Sequence, residues 1–246
     1  MPERIIPTNK DWWPEYGWEH LQRYAFAARY CRDGYGIDFG CGVGYGTEIL
    51  ARAGATGVIG IDIDPDAIEA ARCRSVPSNA SFCVDLEEAS ALRPGGYDFG
   101  VMFEVIEHLP NPIKSLKDIA AQLREGAFFI VSAPNRRQFS GAENPITNEY
   151  HLNEPTYEQL FRWLEPSFEI LEEFEQSELH LRGQEYAIAT LQKSWMLRGE
   201  RWIRRIIGRP LELPVKHNLL RKTDIFPLII ERRDLCQQFL FVCKKR

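Results

Sequence analysis

The stretch Tyr35-Gly36-Ile37-Asp38-Phe39-Gly40-Cys41-Gly42-Val43-Gly44-Tyr45-Gly46-Thr47 constrains the fold of this 246-residue chain more than any other. The apolar run Tyr35 to Phe39 reads as a strand, glycines alternate at 40, 42, 44 and 46, and Thr47-Glu48-Ile49-Leu50 opens a helical pattern. Strand, glycine turn and helix bring free backbone N–H groups to the positive end of a helix, where a ligand can meet them. Glycine suits the turn because it tolerates unusual backbone angles and lets a ligand approach the main chain closely.

The spacing separates the ligands such a turn can hold. A nucleoside-triphosphate loop ends in Gly-Lys-Ser/Thr, and no lysine occurs between Lys10 and Lys114. The dinucleotide fingerprint is Gly-x-Gly-x-x-Gly; its third glycine would fall on Tyr45 or Thr47, depending on the start. What is present is Asp38-x-Gly40-x-Gly42-x-Gly44, with an acid two residues before the first glycine. A negative strand tip repels a pyrophosphate and suits a ligand carrying an ammonium group.

Downstream, strand-like and helix-like segments alternate. Strands are expected at Val58–Asp62, Ala80–Val84, Tyr97–Phe103, Ala127–Ser132, Phe168–Phe174 and Gln238–Cys243. Helices are expected from Gly17 to about Cys31, from the glycine turn to about Ala53, from Asp64-Pro65 to about Cys73, from Asn111-Pro112 to about Leu123, and over Thr156–Leu164. Asp, Asn or Thr at the cap and Pro in the first turn are helix-start signals, and Gly54 is a stop. This order predicts a doubly wound α/β sheet, mostly parallel with an antiparallel last strand and helices on both faces. Ligands of such sheets bind beyond the carboxyl ends of the strands, where Gly40–Gly46, Asp62, Asp85 and Glu104 all fall. The chain reads as one domain with an N-terminal arm over residues 1–16 and an insertion over about 177–235.

Charge divides the chain. Of 30 Lys/Arg and 35 Asp/Glu, residues 193–246 hold 14 and 5, which leaves 16 and 30 in residues 1–192. An acidic body suits a cationic ligand and argues against DNA and RNA as partners. Residues 193–209 are basic and amphipathic, with Trp195, Trp202, Ile203 and Ile206 against Arg198, Arg201, Arg204 and Arg205. Such a segment can lie on an anionic membrane, line a pocket for an acidic substrate, or pack on the sheet with a solvated face. Six cysteines without a Cys-x-x-Cys pair read as reduced thiols. No stretch reaches the ~20 apolar residues of a membrane span, and Met1-Pro2-Glu3-Arg4 lacks an apolar signal core, so a cytoplasmic protein is expected, with contact to the inner membrane face through 193–209 as an option.

Asp38-x-Gly-x-Gly-x-Gly resembles the first motif of the class I S-adenosylmethionine-dependent methyltransferases, whose loop holds the methionine end of the cofactor. The resemblance covers about residues 17–176 and the last strand, and it implies a cofactor-binding set. That set is Asp38, Gly40, Cys41, Gly42, Gly44 and Tyr45 in the loop, Asp62 and Ile63 at the ribose, Asp85 and Leu86 at the adenine, and Glu104 after the fourth strand. Asp62 lies 22 residues after Gly40, and a carboxylate can accept from two ribose hydroxyls at once. Glu19-His20-Leu21-Gln22-Arg23-Tyr24 resembles a helix that precedes the first strand in bacterial relatives and places Arg23 against the cofactor carboxylate; the other reading of Arg23 is a solvated helix face.

Phe103-Glu104-Val105-Ile106-Glu107-His108-Leu109, with Ser132-Ala133-Pro134-Asn135-Arg136 and Tyr150-His151-Leu152, resembles bacterial enzymes that methylate small molecules and glycan precursors. The implied reaction is in-line displacement at a sulfonium methyl, leaving S-adenosylhomocysteine, with the protein aligning the acceptor and excluding water. An oxygen acceptor needs a general base, and His108 is the leading one; the alternative is that it only ties the loop together. Glu104, Glu107, His108 and His151 also resemble the metal set of small-RNA 3′-terminal 2′-O-methyltransferases, so the second reading is metal-assisted 2′-O-methylation of RNA 3′ ends, with a divalent metal held by those four residues. A non-catalytic binder of the cofactor is the third reading.

Overall fold

The computed structural model describes residues 17–141, 143–178, 223–227 and 230–246. Among the described residues, eight strands build one sheet: β1 (Tyr35–Phe39), β2 (Gly57–Ile61), β3 (Ala80–Cys83), β4 (Tyr97–Phe103), β5 (Leu123–Pro134), β6 (Phe168–Glu178), β7 (Thr223–Pro227) and β8 (Gln238–Lys245). Their order is β3-β2-β1-β4-β5-β8-β6-β7. The first five pair in parallel, and β8 runs antiparallel to both β5 and β6. This is the doubly wound sheet the alternating pattern calls for. The order reverses between β1 and β4, and that reversal opens a crevice at the carboxyl ends of those two strands.

Two features depart from the expectation. The insertion contributes β7, antiparallel to β6 at the sheet edge. Five residues ending in Pro227 carry almost no periodic signal, and proline is admissible there because an edge strand need not donate on both sides. A helix, α4 (Leu86–Leu92), lies between β3 and β4. Asp85 caps it by accepting from the Glu88 amide at 2.7 Å. Seven residues with one buried, Ala89, make too short a stripe to read. Residues 1–16 and 193–209, expected as an arm and a basic helix, lie outside the described residues.

The remaining helices are α1 (Trp18–Ala27), α2 (Tyr45–Arg52), α3 (Pro65–Arg72), α5 (Pro112–Gln122), α6 (Arg136–Phe139) and α7 (Tyr157–Leu164). Alternation along the strands divides the apolar side chains between two faces. Phe129, Val131, Phe239 and Phe241 pack with Leu116 and Ile119 of α5 and Leu160 and Leu164 of α7. Phe99, Val101, Phe103, Leu240 and Val242 pack with Leu21 and Tyr24 of α1 and Ile49 and Leu50 of α2. Each such side chain, fully buried, contributes roughly 1.5–3 kcal/mol.

Candidate active site

Glycine is required at particular points of the turn after β1. Gly40, Gly42 and Gly44 all have positive φ, at 72°, 53° and 80°, a region closed to most side chains. A Cβ on Gly40 would overlap Cγ2 of Val105, and one on Gly44 would lie 2.6 Å from Cε1 of Phe82. Gly46 lies within α2, and its missing Cβ leaves room for the Tyr24 ring. The turn is thus packed from behind by α1, β3 and the segment after β4, which leaves its backbone to face the crevice.

Asp62, at the end of β2, is half-buried. Its Oδ2 accepts from the Gly42 amide at 2.8 Å and its Oδ1 from the Asp64 amide at 3.0 Å. Both bonds fix the carboxylate. Ile63 beside it is 92% exposed. Asp85 and Leu86 lie at the end of β3; Asp85 is exposed with one oxygen engaged as the cap of α4, and Leu86 packs against the core.

Asp38 corrects an expectation. It is fully buried, and its carboxylate accepts from the hydroxyls of Tyr24 (3.1 Å) and Thr47 (2.7 Å). The side chain faces inward, joining β1 to α1 and α2, because it alternates with Ile37 and Phe39, which face the opposite layer. Burial pushes its pKa up to about 7, against the two hydroxyl bonds and with the help of the Asp62 charge. Burial likewise raises the Tyr45 phenol and lowers His20, which the Arg23 charge lowers further. The two rings meet at 3.1 Å, His20 Nδ1 to Tyr45 Oη.

Arg23 is 1% exposed, not the solvated residue of one sequence reading. Its Nε donates to Gln176 Oε1 at 2.7 Å, and its Nη2 lies 3.8 Å from Glu19. Nη1 is 3.7 Å from Glu104 Oε1 and has no hydrogen-bond partner. Glu104 follows β4 with φ 52°, strained for a non-glycine residue. Its amide donates to Ser132 Oγ at 3.2 Å, and that hydroxyl donates to Glu104 Oε1 at 2.6 Å.

The polar loops after β4 and β5 are sewn together. Leu152 and Asn153 donate to the Glu107 carbonyl at 2.8 Å each. His108 Nδ1 lies 2.9 Å from the Tyr150 carbonyl. A carbonyl only accepts, so Nδ1 carries the proton and Nε2 is the basic nitrogen of the neutral ring. His151 sits at 5.1 Å from His108, ring to ring. Its Nε2 faces the Asn148 amide nitrogen at 3.1 Å and its Nδ1 faces Glu154 at 2.8 Å, so Nδ1 donates to the carboxylate. Donor atoms of Glu107, His108 and His151 lie within 4.8 Å of one another. Glu104 is not among them, which corrects the four-residue set: the chain after β4 forms a 3₁₀ turn over Ile106–His108 and leaves Glu104 outside it, turned to Ser132.

Gln176, Ser132, Thr47 and Glu154 are the residues that sequence reasoning did not single out. Each acts on a partner that is itself legible, and a buried glutamine in a strand carries no motif of its own. Among the described residues no helix is long and apolar enough to cross a membrane.

Comparison with known proteins accords with this geometry. A family model described as a methyltransferase domain matches residues 17–186. A ubiquinone biosynthesis O-methyltransferase of Xanthomonas campestris is 32% identical over 117 residues, covering 46% of this chain and 48% of that protein. The match thus spans about half the length of that relative. A "probable S-adenosylmethionine-dependent methyltransferase" of Mycolicibacterium smegmatis is 31% identical over 175 residues, 68% of this chain and 64% of that protein. A SAM-dependent methyltransferase structure from Thermotoga maritima superposes with a TM-score of 0.60 at 15% identity, covering 99% of this chain and 97% of that one, which speaks to the fold alone. With a family model covering most of its length and a sheet, glycine turn and strand-tip acids arranged as described, the chain belongs to the class I S-adenosylmethionine-dependent methyltransferases.

Proposed function

We propose that the protein transfers a methyl group from S-adenosylmethionine to a hydroxyl of a small molecule or of a glycan or lipid-linked intermediate. The observation that carries the oxygen assignment is the tautomer of His108: its Nδ1–H is held by the Tyr150 carbonyl, which leaves Nε2 to take a proton from an acceptor. The likeness to an O-methyltransferase over 117 residues supports the same choice. When bound, the cofactor supplies a sulfonium methyl with a good leaving group. Gly40, Cys41, Gly42, Gly44 and Tyr45 are assigned to its amino-acid end, Asp62 and Ile63 to the ribose and its surroundings, Asp85 and Leu86 to the adenine. The residues fit: the turn admits no side chain at Gly40 or Gly44, and Arg23 keeps a buried donor that the described chain does not satisfy.

A second reading, metal-assisted transfer, is favoured by one observation, the Glu107, His108 and His151 cluster with Glu154 bracing His151. A metal there would lower the pKa of an acceptor hydroxyl. The two readings separate in one experiment, a panel of hydroxylated acceptors assayed with labelled cofactor. General-base catalysis by His108 predicts that His108→Ala lowers turnover by about 10²–10⁴-fold, that chelation changes nothing, and that His151→Ala is mild. Activity lost on chelation and restored by a divalent ion would establish the metal instead. Binding of the cofactor without transfer to any acceptor would point to a sensor.

A further inference from the structure

We propose that Glu104 receives the ammonium of the cofactor's amino-acid end, as one half of a clamp with Arg23, and that Ser132 and Gln176 are the positioning residues of the two halves. This rests on the methyl-donor reading above and goes beyond it by taking the ammonium away from Asp38, the acid its place beside the glycine turn would nominate.

Three observations carry it. Asp38 is already satisfied, with one oxygen held by a hydroxyl from α1 and the other by a hydroxyl from α2. Glu104 is open: it stands at the reversal point of the sheet, its backbone is held in a strained left-handed conformation, and its side chain is 16% exposed. Ser132 fixes one oxygen, and among the described residues Oε2 accepts no hydrogen bond. Strain at a strand tip is the mark of a side chain aimed for a purpose.

Arg23 supplies the opposite charge. Its Nη1 is buried, unpartnered and 3.7 Å from Glu104 Oε1, too far for a hydrogen bond. A guanidinium and a carboxylate side by side, each with an unfilled position, match the carboxylate and ammonium of an α-amino acid. A zwitterion set against them completes both and adds no net charge to a site of low dielectric. Gln176 has no exposed surface and uses its whole amide to set the geometry. Oε1 takes the Arg23 Nε–H, and Nε2 donates to the Glu19 carbonyl at 3.2 Å and to Gln22 Oε1 at 2.8 Å. The strand β6 thereby holds a side chain of α1 that lies 153 residues earlier.

The test is calorimetric titration of the full chain with S-adenosylhomocysteine and with methylthioadenosine, the same nucleoside thioether without the amino-acid end. Glu104→Gln should weaken the first by about 10- to 100-fold, the range for losing a charge-assisted hydrogen bond, and leave the second within about twofold. Gln176→Leu and Ser132→Ala should shift the same ratio in the same direction by about 3- to 10-fold, a selectivity that a general loss of structure does not produce. Methylthioadenosine affinity also reports that each variant is folded. Equal weakening of both ligands, or no weakening by Glu104→Gln, would overturn the clamp while leaving the methyl-donor reading intact. A wild-type protein that binds neither nucleoside would overturn both.

Discussion

Replacing Asp38 by Asn should remove a pH dependence of stability that the wild-type chain carries in the range where proteins are usually handled. The carboxyl is fully buried between β1, α1 and α2. Desolvation raises its pKa to about 7, with the Thr47 and Tyr24 hydroxyls opposing and the Asp62 charge adding to the rise. In the unfolded chain the same group titrates near ~3.9. Between those values the folded state binds a proton that the unfolded state has released, so stability falls as pH rises. The contribution is whole below about pH 4 and is lost by about pH 8. From pH 5 to pH 8 about two units of this difference are crossed, roughly 2.7 kcal/mol at ~1.36 kcal/mol per unit. For a chain of this length that corresponds to a shift of about 5–10 °C in Tm. Urea unfolding of wild type and Asp38→Asn at half-unit steps from pH 5 to pH 8 measures it, since the difference between the two curves cancels every other titrating group. The wild type should lose about 2–3 kcal/mol relative to the variant over that interval. Parallel curves would show that the carboxyl titrates normally, and that the hydroxyl bonds of Tyr24 and Thr47 outweigh its burial.

Two further outcomes follow from the same corner of the fold. Gly46→Ala should destabilise the protein by about 1–3 kcal/mol, the cost of overpacking, because its Cβ falls inside the Tyr24 ring. In a Tyr24→Ala background the same change should be neutral or gain up to about 1 kcal/mol from helix propensity; equal costs in the two backgrounds would exonerate the ring. Asp62→Ala releases the Gly42 and Asp64 amides together. It should weaken S-adenosylhomocysteine by about 10-fold or more in calorimetry, and an unchanged affinity would mean that the ribose sits elsewhere.

Much of the architecture was legible because its causes are local. β1 and β4 occupy the predicted residues, Tyr35–Phe39 and Tyr97–Phe103, since short apolar runs bounded by turn residues have few alternatives. Asp64 caps α3 by accepting from the Asp66 amide, and Thr156 caps α7 in a capping box with Gln159, as their positions before Pro65 and an amphipathic stretch imply. α4 carries a local signal only at its start, where Asp85 caps it by accepting from the Glu88 amide, and its single buried residue gives no stripe to set against that. The edge strand β7 had no comparable signal.

What the chain determined by itself is the doubly wound sheet and the edge on which a ligand must lie, because period-2 and period-3.6 patterns and glycine spacing act over a few neighbouring residues. Which atoms face that ligand was decided only in three dimensions. Asp38 is hidden because a tyrosine from α1 and a threonine from α2 close over its face of the sheet. Glu104 is presented by a backbone conformation that no local pattern announces. Arg23 is aimed by a glutamine 153 residues away, and the His108 proton is placed by a carbonyl 42 residues on. A side chain's direction depends on what packs against it, and those partners reach it only once the strands are ordered side by side.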